Sequence, residues 1–378
     1  MTRNIFSTLI LWVVCCLLVF FCFIIAASAQ EPSGVRPAHI GLCYPLSTNG
    51  LEAPSLSNRF SLHALYGVSQ KEYAFCLSGI TSVIKSDAGG LVLSGVSNHI
   101  GHNAQGAQVA GILNQVRGAA AGMQMAGVAN ISGTASGLQL AGVINIAGHA
   151  AHIQVAGFAS KAQSATAQVS GFCNIAKRTG ALQLAGFANI ARDASTQVSG
   201  FLNIARKVKG VQVGIVNIAE QSDYPVGLVN IVKNGEKQLG LSADETGSLL
   251  VSLRSGGRTL YGILGAGYNF KDASARYVLE GGIGAHLPIK PYFRINMEIA
   301  TAVLSDLQYD AYMKTTTRLL AALRIGRHIE LFAGPSFNYL GYERGQTDIR
   351  SQYLWKERSR SHVNGLYFGA TGGIQLNL

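Results

Sequence analysis

Four histidines come in two close pairs, His99 with His102 and His149 with His152. A His-x-x-His pair offers two imidazole nitrogens to a metal, but a site needs further ligands of fixed geometry. No carboxylate or cysteine accompanies either pair, so no metal site is expected. Acyl or glycosyl transfer at a barrel rim would need a Ser/His pair or paired acids. The residues to weigh are Ser336, His286, His328, Glu298 and Glu330. None sits in a Gly-x-Ser-x-Gly or His-Glu-x-x-His frame. Glu280, Arg294, Glu298, Arg318 and Arg324 read better as charge pairs filling a barrel. Gly265-x-Gly267 lacks the strand–GxGxxG–helix context, so nucleotide binding is set aside. The chain is expected to be no enzyme, with no catalytic, cofactor-binding or metal-binding residues and no cofactor.

The elements that would position such residues are best read from composition outward. Only 13% of the 378 residues are charged, and there are 45 glycines against 8 prolines. That mixture suits a β-rich chain and argues against disorder. The N-terminus reads as an export signal: Arg3, an apolar run over residues 9–25, then Ala27-Ser28-Ala29. Cleavage after Ala29 is expected; an uncleaved anchor is the alternative, because the apolar run is long. Cys15, Cys16 and Cys22 lack a lipoprotein context. Of the remaining cysteines, Cys43 and Cys76 either form a disulfide or pack as small apolar residues with Cys173. The formal charge of +11 could suggest nucleic acid, but no basic helix or RNA-binding motif is present. No nucleic-acid partner is expected.

A phrase, Gln-apolar-(Ala/Ser)-Gly-apolar-x-Asn-Ile-Ala, recurs every 14 to 16 residues between Leu91 and Lys233. Its glutamines are Gln108, Gln124, Gln139, Gln154, Gln168, Gln183, Gln197 and Gln212. Its asparagines are Asn114, Asn130, Asn145, Asn174, Asn189, Asn203 and Asn217, with Ser160 in one copy. Charges such as Lys161, Lys177, Arg178, Arg192, Asp193, Arg206, Lys207 and Lys209 fall between phrases. The phrase reads as a shielded strand and the charged segments as turns. So short a unit cannot bury a core alone and must stack. In a β-solenoid, equal residues stack about 4.8 Å apart, and identical asparagines bond as a ladder. The phrase glycine would suit a corner of positive φ. The alternative is one large antiparallel membrane barrel with a strand per phrase.

Residues 59–66 and 73–83 read as early strands. Aromatics and charges increase from about Ser248. Strands are expected over residues 258–270, 276–287, 292–303, 317–327, 328–340 and 365–378. Phe293, Ile295, Met297 and Ile299 share one face, and Arg294, Asn296 and Glu298 the other. Arg318 and Arg324 lie opposite Leu319, Leu323 and Ile325. Strands with one apolar and one charged face mark a membrane barrel with a polar interior; a soluble sheet with one wet face is the alternative. Residues 341–364 read as a long polar loop. The fold class expected is all-β, a short-period repeat array followed by an antiparallel barrel-like domain. Its segments are residues 1–29 (signal), 30–90 (N-terminal β segment), 91–240 (repeats) and 241–378 (barrel).

The repeat phrases, with Leu260-Tyr261-Gly262-Ile263-Leu264-Gly265-Ala266-Gly267-Tyr268-Asn269, Gly284-Ala285-His286-Leu287-Pro288 and Leu331-Phe332-Ala333-Gly334-Pro335-Ser336-Phe337-Asn338, resemble the bacterial surface-repeat-containing proteins. The lead Tyr44-Pro45-Leu46-Ser47-Thr48-Asn49-Gly50 resembles that family's mature N-terminus. The resemblance implies an exported, envelope-associated β-protein without an established activity. The expected location is the outer membrane or cell surface. The expected role is structural or adhesive, with outer-membrane lipid and a surface glycan or protein as partners. A pore or transport component is the alternative.

Overall fold

A coil of 14–16 residues encloses very little volume, and that limit decides which side chains point inward. The computed structural model describes residues 34–308, 311–350 and 352–378; the expected export segment at 1–29 lies outside them. The chain divides into two compact units meeting at Ala156 and Gly157. Between them they carry about 12 parallel β-solenoid turns. The large single barrel weighed as an alternative is therefore ruled out for the repeats.

In the first unit the parallel pairing already begins before the phrase becomes recognisable, with Val35–Cys43 on Ser57–Ser69 and Ser57–Ser69 on Lys71–Ser78. From there, equal positions of successive coils sit side by side. Gln108 pairs with Gln124, Gln124 with Gln139, and Gln139 with Gln154. In the second unit Gln168, Gln183, Gln197 and Gln212 repeat the pattern. Drift in period is absorbed by register shifts on the side of the coil away from the phrase, as between Ala165 and Ala167 or Thr179 and Leu182.

The phrase is turned inside out relative to an ordinary amphipathic strand. Gln and Asn point inward and are fully buried, beside alanines such as Ala185, Ala191 and Ala205. The large apolar residues point outward: Phe172, Leu184, Phe187 and Ile190 are each about two-fifths exposed. This corrects the reading of the phrase as wholly shielded. The charged segments are also mostly strand, since Lys177 and Arg178 lie within Cys173–Ala185.

Buried carboxamides must be bonded, because an orphaned one costs about 1–3 kcal/mol. The stacking meets that demand along most of the ladder, although both polar atoms of Gln108 and Gln124 Nε2 have no partner. Asn174 Nδ2 donates to Asn189 Oδ1 at 3.0 Å, Asn189 to Asn203 at 3.0 Å, Asn203 to Asn217 at 2.9 Å, and Asn217 to Asn230 at 2.8 Å. Each Nδ2 also reaches a backbone carbonyl of the next coil, as Asn189 does to Val198 O at 2.7 Å. Glutamines bond in the opposite sense, each Nε2 donating to the coil before it, Gln183 to Gln168 at 2.9 Å and Gln197 to Gln183 at 2.8 Å. In the first unit Asn98, Asn114, Asn130 and Asn145 form an equivalent ladder.

The phrase glycines serve a different purpose from the one expected. Gly111, Gly127, Gly142 and Gly186 do not have positive φ. A Cβ on Gly111 would stand inside contact distance of the Gly95 carbonyl, and one on Gly186 against that of Gly171. Close approach of successive coils, not φ, demands glycine at this corner.

Within the second unit the last coil ends on an eight-stranded antiparallel barrel. Its strands are Lys237–Asp244, Ser248–Gly256, Leu260–Asn269, Tyr277–Lys290, Phe293–Ser305, Ala311–Ile325, Ile329–Glu343 and His362–Asn377. The last closes on the first through Gln238↔Asn377 to Asp244↔Thr371. The first two strands were not anticipated; small residues such as Gly240, Ser242 and Ala243 blur their alternation. The Asn ladder ends here: Asn230 N donates to Ser255 Oγ and Asn230 Nδ2 to Ser255 O, both at 3.0 Å. The barrel thus caps the open edge of the last coil, a place where an uncovered ladder would invite aggregation.

Replacing Asn189 with Ala should orphan the groups on either side of it and cost about 1–3 kcal/mol. Ile190→Ala, on the outward face, should cost under about 1 kcal/mol. Amide hydrogen exchange of residues 173–208 in the full chain reads both; equal protection in the two variants would contradict the ladder's role.

Candidate functional site

The barrel carries most of the buried charge. Alternation puts Arg294, Asn296 and Glu298 inside at 5% exposure or less, while Met297 and Ile299 are about half exposed. Arg318 is inside, and Leu319, Leu323 and Ile325 are outside. Arg324, near its strand end, is one-third exposed.

The interior is a closed electrostatic network. Glu298 accepts from Arg254 Nε at 2.9 Å, from Tyr261 Oη at 3.0 Å and from Arg318 Nη1 at 3.4 Å. Arg318 also donates to Glu280 at 3.0 Å, and Lys314 pairs with Asp244. Nearer the solenoid, Arg294 and Arg324 share Glu236 and Glu330, with Arg294 Nη1 2.6 Å from Glu236 and Arg324 Nε 3.2 Å from Glu330. Buried ions need such pairing, since removing one partner strands the other. At the far end the 344–361 loop folds inward. Ile349 and Tyr353 pack on Tyr312, Tyr342 and Tyr367, and Tyr312 Oη donates to Thr347 O at 2.8 Å. Asp348 accepts from Tyr353 Oη at 2.6 Å.

The outer wall is the reverse. Leu239, Leu241, Val251, Leu264, Leu279 and Ile283 are all 42–67% exposed. Among the described residues no helix is long and apolar enough to cross a membrane.

The residues weighed for catalysis are dispersed through this network. His286 Nδ1 is 2.8 Å from Asn296 Oδ1. Ser336 accepts from Asn338 Nδ2 at 3.1 Å. His328 lies exposed in the turn between two strands. Glu298 and Glu330 are held by arginines. Among the described residues no hydrogen bond joins Ser336 to either histidine. The turn histidines are also apart: His99 bonds Gln115 and Ser97, while His102, His149 and His152 lie at or near the surface. No group of three potential metal ligands is found among the described residues.

A cluster that the sequence did not reveal lies in the first coils of the first unit. His39, Asn58, Ser61, His63 and Glu72 are all at most 3% exposed. His63 Nε2 is 3.2 Å from His39 Nδ1, Ser61 Oγ donates to Glu72 Oε1 at 2.7 Å, and Asn58 Nδ2 donates to it at 3.2 Å. Register explains the placement. His39 and Ser61 begin the column that becomes the glutamines, through Cys76 and Val92. Asn58 and Glu72 are adjacent in the column that continues through Ala88 and Ala104. Counting the period backward from Gln108 to Val92, Cys76 and Ser61 was the available signal. Cys43 and Cys76 are free thiols. Their strands are separated by Ser57–Ser69, a two-strand gap beyond disulfide reach, so the disulfide reading is corrected. Burial pushes the Cys76 thiol up to about 12.

Burial pushes the Glu72 carboxyl up to about 7, against hydrogen bonds from Ser61, Ser69 and Asn58. Burial, then the neighbouring His39, pushes His63 down to about 4. A raised carboxyl gives stability that is full below its ordinary 4.5 and is lost as pH rises through about 7. A lowered histidine gives stability that is full above its ordinary 6.5 and is lost as pH falls through about 4. The first coils should therefore weaken in both directions. Glu72→Gln should remove the loss at high pH, a gain of up to about 3 kcal/mol near pH 8, read from thermal melts; an unchanged slope above pH 5 would contradict it. In the barrel, Glu298→Ala should cost about 3–5 kcal/mol by leaving buried Arg254 without its carboxylate, read as a lower melting temperature in detergent.

Comparison of the chain with protein-family models, curated proteins and solved structures finds no match.

Proposed function

We propose that the chain is a non-enzymatic protein of the bacterial outer membrane, anchored by its barrel and presenting its repeats as a partner-binding scaffold. The observation that carries this reading is the inverted polarity of the barrel. Its outer wall is lined by residues such as Leu279, Ile283, Met297 and Ile299, and its interior by paired Arg254, Glu280, Glu298 and Arg318. In water such an outer wall would be a large apolar patch; in a bilayer it is the matching solvent. The likeness of the repeat phrase to the surface-repeat-containing proteins belongs to the same proposal.

The repeats support a scaffold role because outward residues recur at fixed spacing. Phe158, Phe172, Phe187 and Phe201 stack with centroids 5.0–5.2 Å apart. A basic file, including Lys177, Arg192 and Arg206, recurs on the same coils. Weak contacts repeated along such a surface add by avidity. The pore alternative is disfavoured: eight strands leave an interior just wide enough for side chains, here filled by ion pairs, and the 344–361 loop folds over one mouth.

The full chain should sediment with outer membranes and resist extraction by alkaline carbonate. It should give no stepwise conductance in a planar bilayer. Recovery as a freely soluble protein would overturn the anchor, and steady single-channel steps would favour the pore.

A further inference from the structure

The two ends of the barrel differ. At one end the connections are residues 257–259, 291–292 and 326–328, each of two or three residues. At the other they are residues 245–247, 270–276, 306–310 and 344–361, the last holding the short strand Trp355–Arg358. The solenoid joins at the short-turn end. Lys237–Asp244 starts there, directly after the last coil strand Val229–Val232. Leu378 N donates to Lys237 O at 2.9 Å, and Asn377 N to His328 O at 2.8 Å, so both barrel termini and the 326–328 turn share that end. The last coil is bonded to the same rim through Asn230 and Ser255.

We infer that the solenoid coils of the second unit hang on the periplasmic side of the outer membrane, so that the partner of their phenylalanine and basic files is a periplasmic component and not a ligand outside the cell. This rests on the membrane reading above. Two physical arguments carry it. Outer-membrane barrels place short turns in the periplasm and longer loops outside, and here the repeats share the short-turn end. Moreover, a solenoid outside would have to cross the bilayer. The barrel gives it no passage, since its bore is filled by Arg254, Glu298, Arg318 and Glu280. The 344–361 loop, although the longest barrel connection, is by contrast a single polar segment and not a stack of coils.

The test is cysteine accessibility in cells expressing the full chain. Lys209→Cys marks an exposed solenoid corner and Arg360→Cys the exposed loop, each with Cys43, Cys76 and Cys173 changed to Ser. A membrane-impermeant maleimide is applied before and after outer-membrane permeabilisation. Arg360→Cys should react in intact cells, and Lys209→Cys should gain at least tenfold only on permeabilisation. Reaction of Lys209→Cys in intact cells overturns the inference, as does failure of Arg360→Cys to react while the chain stays in the membrane fraction. If neither reacts and the chain is soluble, the membrane reading has failed first. Should the serine background fold poorly, protease sites inserted after Lys209 or Gly345 in the native chain give the same readout.

Discussion

A carboxamide or ion taken out of water is destabilising unless its hydrogen-bonding groups are met inside the protein, and this chain buries such groups throughout. The solenoid coil is too small for a core of Leu and Phe. Alanine and stacked Gln and Asn fill it instead, and most of the stack is satisfied because a carboxamide finds its copy in an adjacent coil; Gln108, with neither side-chain polar atom paired, is an exception. Asn189 depends on Asn174 before it and Asn203 after it. The regularity of the sequence follows directly: a substitution in the ladder strands its neighbour, as where Ser160 occupies the Asn position opposite Asn174 and Asn174 Oδ1 is left without a hydrogen-bond partner.

The barrel answers the same constraint with charge. Five cations (Arg254, Arg294, Lys314, Arg318 and Arg324) meet five carboxylates (Glu236, Asp244, Glu280, Glu298 and Glu330). Such pairing does not make buried ions more stabilising than a hydrocarbon core would be. It makes an apolar outer wall compatible with a unique fold, because the polar surface every strand carries is used up inside. The last coil and the barrel join through the hydrogen bonds of Asn230 to Ser255.

Much of this was legible in the sequence. Period, identical Asn positions and charge placement gave the stacked coil. The alternation in Phe293–Ser305 and Ala311–Ile325 gave the two faces of the barrel. What escaped did so for physical reasons. The phrase reads as shielded although its large apolar residues are partly exposed, because period alone does not say which side is dry and a narrow coil reverses the usual preference. The strands Lys237–Asp244 and Ser248–Gly256 carry small residues that hide alternation. Within the His39–His63–Glu72 cluster, His39 is cut off from the later coils by an excursion between Cys43 and Ser57 that breaks the period. Only pairing across coils brings those residues together.

The central proposal is that the barrel's apolar outer wall faces lipid while its inner wall holds the paired charges. A tryptophan at Met297, in Met297→Trp, reports on the outer wall directly when the full chain is reconstituted in vesicles. Brominated lipid should quench its fluorescence strongly, and aqueous acrylamide should barely affect it. Quenching by acrylamide with no effect of brominated lipid would contradict the account.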